Sequence, residues 1–415
     1  MLQCAQLEPY SEKEECEFNQ GIKETMISIK IFYNHFNLLK ISCNTIFLLL
    51  IFCLNNLSAN NQNVPEWLVY RGDQKLSGFS NAIMPDSLQL SWLFEADDAI
   101  ASSAVIIENM VIFGCADGNL YALDLENGKI LWKFSQPYSF EAPPLVIDDK
   151  VYIGSVEGII YCLKIEDGTL VWKYATDGQI LGSANFIQHN DEDRIDIIVG
   201  SYDNYLYNFD SATGEIIWKF ETTHFINGTP AVADDRIVFG GCDALLHVLN
   251  SEEGKEIYSI DMHDYVAGAP ALSDGKAFTG NYGGTMSCTN ITNGQIIWSF
   301  GNREEQGPIV SSPAVSDSYV IFTSRDNNVY CLNKNTGRPV WTFTAAGSID
   351  SSPVIAGGKV IFGTSNGRII LLDLISGQLV WQYNTGSKIT ASPSIINDVI
   401  IIGTEDGTLY KFIIK

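Results

Sequence analysis

The densest run of candidate ligands in the chain is Asn190-Asp191-Glu192-Asp193-Arg194-Ile195-Asp196. Closely spaced carboxylates can wrap calcium, which makes Asp191, Asp193 and Asp196 the candidate ligands. The run lacks the glycine and the ligand spacing of a regular calcium loop, so the competing reading is a solvated acidic hairpin tip. Nine cysteines stand at 4, 16, 43, 53, 115, 162, 242, 288 and 331, with no adjacent pair and no CxxC. That excludes haem attachment and the familiar zinc spacings. Five of them follow residue 59. An odd number cannot all pair within one chain, so buried thiols are expected. The histidines, His35, His189, His224, His247 and His263, are scattered without ligand spacing. Neither a metal site nor a catalytic residue is assigned.

The elements that would carry such residues announce themselves as a repeat. An aromatic residue recurs at Trp132, Trp172, Trp218, Tyr258, Trp298, Trp341 and Trp381, each preceded four positions earlier by a glycine, Gly128 to Gly377. Eighteen residues before each aromatic stands Gly114, Gly154, Gly200, Gly240, Gly280, Thr323 or Gly363. Each copy reads as four short strands joined by tight turns such as Asp117-Gly118 and Asn366-Gly367, pairs that favour left-handed backbone. Four-stranded units of about 40 residues mark propeller blades. An eighth copy begins at Gly403 and stops before its fourth strand, while an orphan strand, Leu88–Phe94 with Trp92, lies 40 residues before Trp132. The expectation is an all-β chain. It forms an eight-bladed β-propeller of four-stranded antiparallel blades, closed by the N-terminal strand pairing into the last blade. Closure removes aggregation-prone edges. The extra length before Gly200 and Thr323 belongs to the fourth-to-first connection or to the first hairpin.

Ala122-Leu-Asp124-Leu-Glu-Asn-Gly128-Lys-Ile-Leu-Trp132 resembles the tryptophan-docking motif of quinoprotein-type propellers, the PQQ-like repeat family. The resemblance covers about residues 64–415 and includes the lead-in Trp67-Leu-Val-Tyr-Arg71-Gly72-Asp73. It implies a structural role for Trp92, Trp132, Trp172, Trp218, Tyr258, Trp298, Trp341 and Trp381, packed between neighbouring blades. The family's enzymes hold their quinone with adjacent cysteines, calcium and an aspartate on sizeable inserts. This sequence has no adjacent cysteines and almost no inserts. The resemblance therefore points to the non-enzymatic, BamB-like branch. Its members are exported scaffolds that bind proteins, including components of membrane β-barrel assembly, without a resident cofactor. The alternative is a small-molecule or quinone (PQQ) binder, a degenerate quinoprotein dehydrogenase.

In a propeller the loops entering each first strand rim one mouth of the central channel. Here they carry Tyr138, Phe140 and Glu141; His224, Phe225 and Asn227; Asp264 and Tyr265; and Arg303, Glu304 and Glu305. Aromatics flanked by charges on variable loops have the composition of a partner-binding patch. The competing reading is that these rings tuck beneath their loops. The net charge of −24 repels phosphate backbones and anionic headgroups, which argues against nucleic acid and leaves the membrane to the N-terminal segment. Residues 1–59 read as an N-terminal extension with a signal peptide or short anchor, and 60–415 as the propeller. The apolar run Ile46–Leu54 follows Lys30 and Lys40, with cleavage expected after Ala59 and Met26 a better start than Met1. Lipidation at Cys53 and an uncleaved anchor are the other readings, and all place the protein in the periplasm or at the cell surface.

Overall fold

The computed structural model describes residues 66–189, 194–302, 304 and 306–414. The leader with Cys53 and Met26, and Asp191, Asp193, Arg303 and Glu305, lie outside the described residues. Eight four-stranded antiparallel blades follow one another along the chain, the short Phe79–Ser80 adding in parallel to Val354–Ala356 of the seventh, and no helix occurs among the described residues. Blade 1 comprises Val105–Ile107, Met110–Gly114, Asn119–Asp124 and Ile130–Ser135, innermost strand first. Each middle strand pair is buried on both faces, so it reads as a continuous apolar run such as Val111-Ile112-Phe113. Outermost strands alternate between half-buried and exposed residues.

The eighth blade is completed from the far end of the chain. Leu88–Glu95 pairs antiparallel with Thr408–Ile414, Leu88 opposite Ile414 and Phe94 opposite Leu409. The six-residue excess before Gly200 sits in the first hairpin of blade 3, between Asn185–Gln188 and Ile195–Gly200. The excess before Thr323 lies in the loop from blade 5 to blade 6, between Ile296–Phe300 and Ala314–Val315.

Two devices around the axis were not expected from the sequence. The first is a belt of hydroxyls at the head of the innermost strands. The amide of Ser392 donates to Ser103 Oγ, Ser352 to Ser392, Ser312 to Ser352, Ala269 to Ser312 and Ser183 to Thr229. The remaining junctions lack a partner for a chemical reason. Pro143 has neither N–H nor hydroxyl at this position, and Ala269 has no hydroxyl to receive the amide of Thr229.

The second device is a strap, Trp67–Met84, that visits the innermost strands of the blades in order. Its carbonyls accept the amides of Ile106, Val146, Val232, Leu272, Val315 and Ile355, from Trp67, Leu68, Gln74, Lys75, Ser77 and Gly78 respectively. In blade 3, Asn185 Nδ2 donates to Gln74 O and Gln74 Nε2 donates to Phe186 O; in blade 8, Ser80 Oγ donates to Ile395 O. An innermost strand is an open sheet edge, and the strap satisfies it where it would otherwise face the channel. The strap's own Val69 and Leu76 are buried in the core, each burial favouring the fold by about 2 kcal/mol. Arg71 is fully buried and donates to the carbonyls of Pro313 and Pro353, and burial pulls its guanidinium down to about 10. Tyr70 lines the channel, its hydroxyl 3.3 Å from Ser312 Oγ and 3.0 Å from Ser352 Oγ.

Candidate functional site

The outer aromatics sit at the junctions between blades. Trp92 Nε1 donates to Leu125 O at 3.0 Å, Trp132 to Ile165 O at 2.8 Å, Trp172 to Ser211 O at 3.0 Å, Trp298 to Lys334 O at 2.9 Å and Trp341 to Leu374 O at 2.9 Å. Each acceptor belongs to the following blade. Trp218 has the same seat, but its buried Nε1 finds no acceptor among the described residues. The ring lies on the glycine of that blade's last turn. A Cβ on Gly168 would stand 2.6 Å from Trp132, and one on Gly337 2.6 Å from Trp298. The glycine is thus required by the approach of the indole and by its own left-handed backbone, φ +70 and +67. Tyr258 lies on Gly294 in the same way. Except in blade 2, where Lys164 stands, an Asp or Asn begins the turn and caps it, as Asp124 Oδ1 accepts from the amides of Glu126 and Asn127. Trp381 has no glycine seat, because Leu88 occupies the matching position in the closing strand; its ring stacks on Tyr383, centroids 6.1 Å apart.

Of the three candidate calcium ligands only Asp196 lies among the described residues. Asp196 is fully buried; its carboxylate accepts from Arg194 Nε at 3.0 Å and from Asn208 Nδ2 at 3.0 Å, and His189 Nε2 lies 3.0 Å from it. In this arrangement Asp196 is the buried partner of the Arg194 guanidinium. Arg194 and His189 also reach Glu252 on blade 4, which ties the longer hairpin of blade 3 to its neighbour. The cysteines Cys115, Cys162, Cys288 and Cys331 are buried and unpaired. Burial pushes Cys115 and Cys331 up to about 12, which leaves them protonated and unreactive.

The channel-rim loops divide into a repeating and a non-repeating part. Phe140 belongs to the repeating part, which corrects its reading as a partner contact. It is fully buried, 5.8 Å from the Tyr161 ring, and its Cβ would be 2.8 Å from a Cβ on Gly114. Its counterparts Ile180, Ile226, Val266, Ile309 and Ile389 are equally buried, each in the next blade's loop over the matching glycine. That recurrence at the repeat pitch was a signal available in the sequence.

The residues around this buried position are exposed and do not repeat. Tyr138 is 43% exposed, Phe225 47% and Tyr265 53%. Beside each such loop lies the turn joining the blade's second and third strands, held by a backbone bond: Cys242 N to Phe225 O at 2.9 Å, Tyr282 N to Tyr265 O at 2.7 Å. These turns add Tyr202, whose ring is parallel to that of Phe225 at 5.0 Å, and the exposed Tyr282. Sequence reasoning missed both, because they precede turns rather than first strands. The same rim on blades 7, 8 and 1 presents Ala346-Gly347-Ser348, Gly386-Ser387-Lys388 and Asp97-Asp98-Ala99, with no ring. His224 and Glu304 are exposed rim residues, and Glu141 and Asn227 line the channel mouth.

One rim position has exchanged chemistry. In blades 1, 3 and 6 a strand tyrosine donates to the turn aspartate, Tyr121 to Asp117 at 2.7 Å, Tyr207 to Asp203 at 2.8 Å and Tyr330 to Asp326 at 2.7 Å. In blade 4 the position is His247, with Nε2 2.9 Å from Asp243 and Nδ1 2.6 Å from Glu256, stacked on Phe239. Burial opposes its charge, but the two carboxylates outweigh that and raise its pKa above the usual 6.5.

Comparison with known proteins places this geometry. The family model described as the β-propeller of the beta-alanine-activating enzyme matches residues 187–415, and that of outer membrane protein assembly factor BamB matches residues 116–240. No curated protein sequence matches the chain. Among solved structures, BamB from Moraxella catarrhalis is 19% identical with a TM-score of 0.68, covering 79% of this chain and 98% of that one. The computationally designed Ika8 protein is 19% identical with a TM-score of 0.69, over 79% of this chain and 100% of that one. A europium-containing methanol dehydrogenase is 12% identical with a TM-score of 0.71, over 84% and 98%. At these identities the shared property is the fold.

Proposed function

The chain belongs to the PQQ-like eight-bladed β-propeller family, and from that premise we propose that it is a non-enzymatic, exported scaffold. It holds a partner protein on the channel-rim face of blades 2–5. The observation that carries this reading is the broken symmetry of the rim. A feature repeated in every blade is accounted for by packing between blades, whereas the rings of Tyr138, Tyr202, Phe225, Tyr265 and Tyr282 are confined to consecutive blades and pack no core cluster. Aromatic rings held on a rigid frame lose little entropy on binding and supply most of the energy of protein interfaces.

The match to the BamB family model favours a partner in envelope protein assembly, and the apolar leader favours export. The absence of any adjacent cysteine pair in the sequence supports a scaffold without quinone chemistry. The test is capture. The immobilised protein, exposed to solubilised envelope proteins, is expected to retain a membrane β-barrel protein. A Tyr138→Ala, Phe225→Ala, Tyr265→Ala variant is expected to lose it. Equal recovery by the two proteins counts against the proposal, as does quinone-dependent oxidation of an alcohol or sugar.

A further inference from the structure

Every blade ends in an outermost strand that has no neighbour on its outer side. Each of these strands exposes aliphatic side chains, as Ile130 and Leu131 in blade 1 and Ile296 and Ile297 in blade 5. A bare edge of this kind is a template for another strand, and soluble proteins blunt it with charge or proline. Seven of the eight edges are blunted. Lys133, Lys173 and Lys219 follow the aromatic in blades 1, 2 and 3, Glu256 and Asp261 bound the strand in blade 4, Arg338 and Pro339 begin it in blade 6, and Glu95 ends it in blade 8. In blade 7 Arg368 donates to Gln382 Oε1 on the edge at 2.8 Å.

Blade 5 carries no such device. From Asn281 to Gly301 the sequence holds no acidic, basic or proline residue, and this stretch supplies both Met286–Asn290 and the outermost strand Ile296–Phe300. Ser299 is exposed and stands where blades 1–3 place lysine. Ile297 is the extra residue of a bulge, and beyond it Trp298–Phe300 pair regularly with Met286–Cys288. The protection that recurs round the ring therefore fails at one blade, and the regular part of that strand is open on its outer side.

A strand that fits this edge must itself be open and uncharged, because a charge set against it would lose its hydration with nothing to pair with. One strand in the structure meets that description, the same edge of a second copy. The chain carries a net charge of −24, so two copies repel over most of their surfaces, whereas at this edge they meet without opposed charges. Antiparallel pairing about a two-fold axis at Ser299 sets Ser299 opposite Ser299 and Trp298 opposite Phe300, and such aromatic pairs stabilise neighbouring strands.

We propose that two copies of this protein join edge to edge through the outermost strand of blade 5, which continues one sheet across both. A contact of so few residues is smaller than the roughly 1,600 Å² of a standard stable interface, so association is weak, in the range of about 10–100 μM. The inference does not depend on the rim as a partner's seat. With both in force, a dimer carries two such seats and gains avidity for a partner that reaches both.

The test is sedimentation equilibrium of the protein from about 1 μM to about 300 μM. A reversible monomer–dimer equilibrium is expected, and it is expected to tighten as salt is raised, because salt screens the repulsion between the two chains. Ser299→Lys sets two lysines opposite each other and is expected to weaken association at least about tenfold. Its melting temperature is expected to match the wild type, since blades 1–3 carry lysine at this position. Mixing Ser299→Lys with Ser299→Glu is expected to restore the dimer, which a misfolded chain would not do. The same lysine on the neighbouring edge, Thr342→Lys in blade 6, is expected to change nothing. A wild type that stays monomeric throughout, a dimer that Ser299→Lys leaves intact, or a mixture that fails to associate overturns the proposal.

Discussion

Seven outer aromatics, from Trp92 on Gly128 to Trp341 on Gly377, rest on a glycine of the next blade in one repeated geometry. The rim loops belong to the same repeats, yet rings stand on blades 2–5 and serine, glycine or lysine on blades 7 and 8. The difference has a physical origin. An indole seat is enclosed by two blades, so a changed residue meets backbone at van der Waals distance and costs stability. A rim residue meets solvent, and its identity is free to follow a partner. Repetition therefore marks what holds the ring together, and its failure marks what the ring is for.

The largest disturbance of the repeating part is removal of residues 66–95, which takes away both the strap and the closing strand. Eight innermost edges lose their cover and blade 8 gains an open outer edge. Size-exclusion chromatography is expected to show aggregates; a monomer with an unchanged melt counts against closure. Next in size, Trp298→Ala vacates one seat and leaves Lys334 O without its donor. Urea unfolding is expected to show a loss of about 3–5 kcal/mol. A loss below about 1 kcal/mol would mean that the indole contributes no packing.

A smaller effect sharpens the comparison at blade 4, where the tyrosine brace has become His247. Because its folded pKa is raised, its contribution is fully present below the unfolded value near 6.5 and is lost as pH rises through the folded value. The stability difference between the wild type and His247→Gln is therefore expected to grow from about pH 8 to about pH 6. Its size is on the order of 1 kcal/mol, the scale of one charge-assisted hydrogen bond. A difference independent of pH, or larger in alkali, contradicts a charged brace between Asp243 and Glu256.

The blades were legible because a fixed spacing of glycine and tryptophan forces one reading, and the closing strand because Trp92 keeps that spacing. The strap was not legible. It binds through its own carbonyls, as Leu68 and Lys75 do, and a carbonyl leaves no trace in residue type. Phe140 was misread because composition does not say which way a ring points, although the apolar residues at its pitch do. The surroundings of Asp196 were not legible because Asn208, which donates to it, comes from the next strand.

The division of labour between seat and rim is tested most directly by measuring, on one protein, both the melt and the capture of envelope partner after Tyr138→Ala, Phe225→Ala, Tyr265→Ala. The three rings are about half exposed, so the melting temperature is expected to stay within a few degrees of the wild type while capture is lost. Capture that persists at wild-type level, or a melt that collapses, contradicts the assignment of this face to binding.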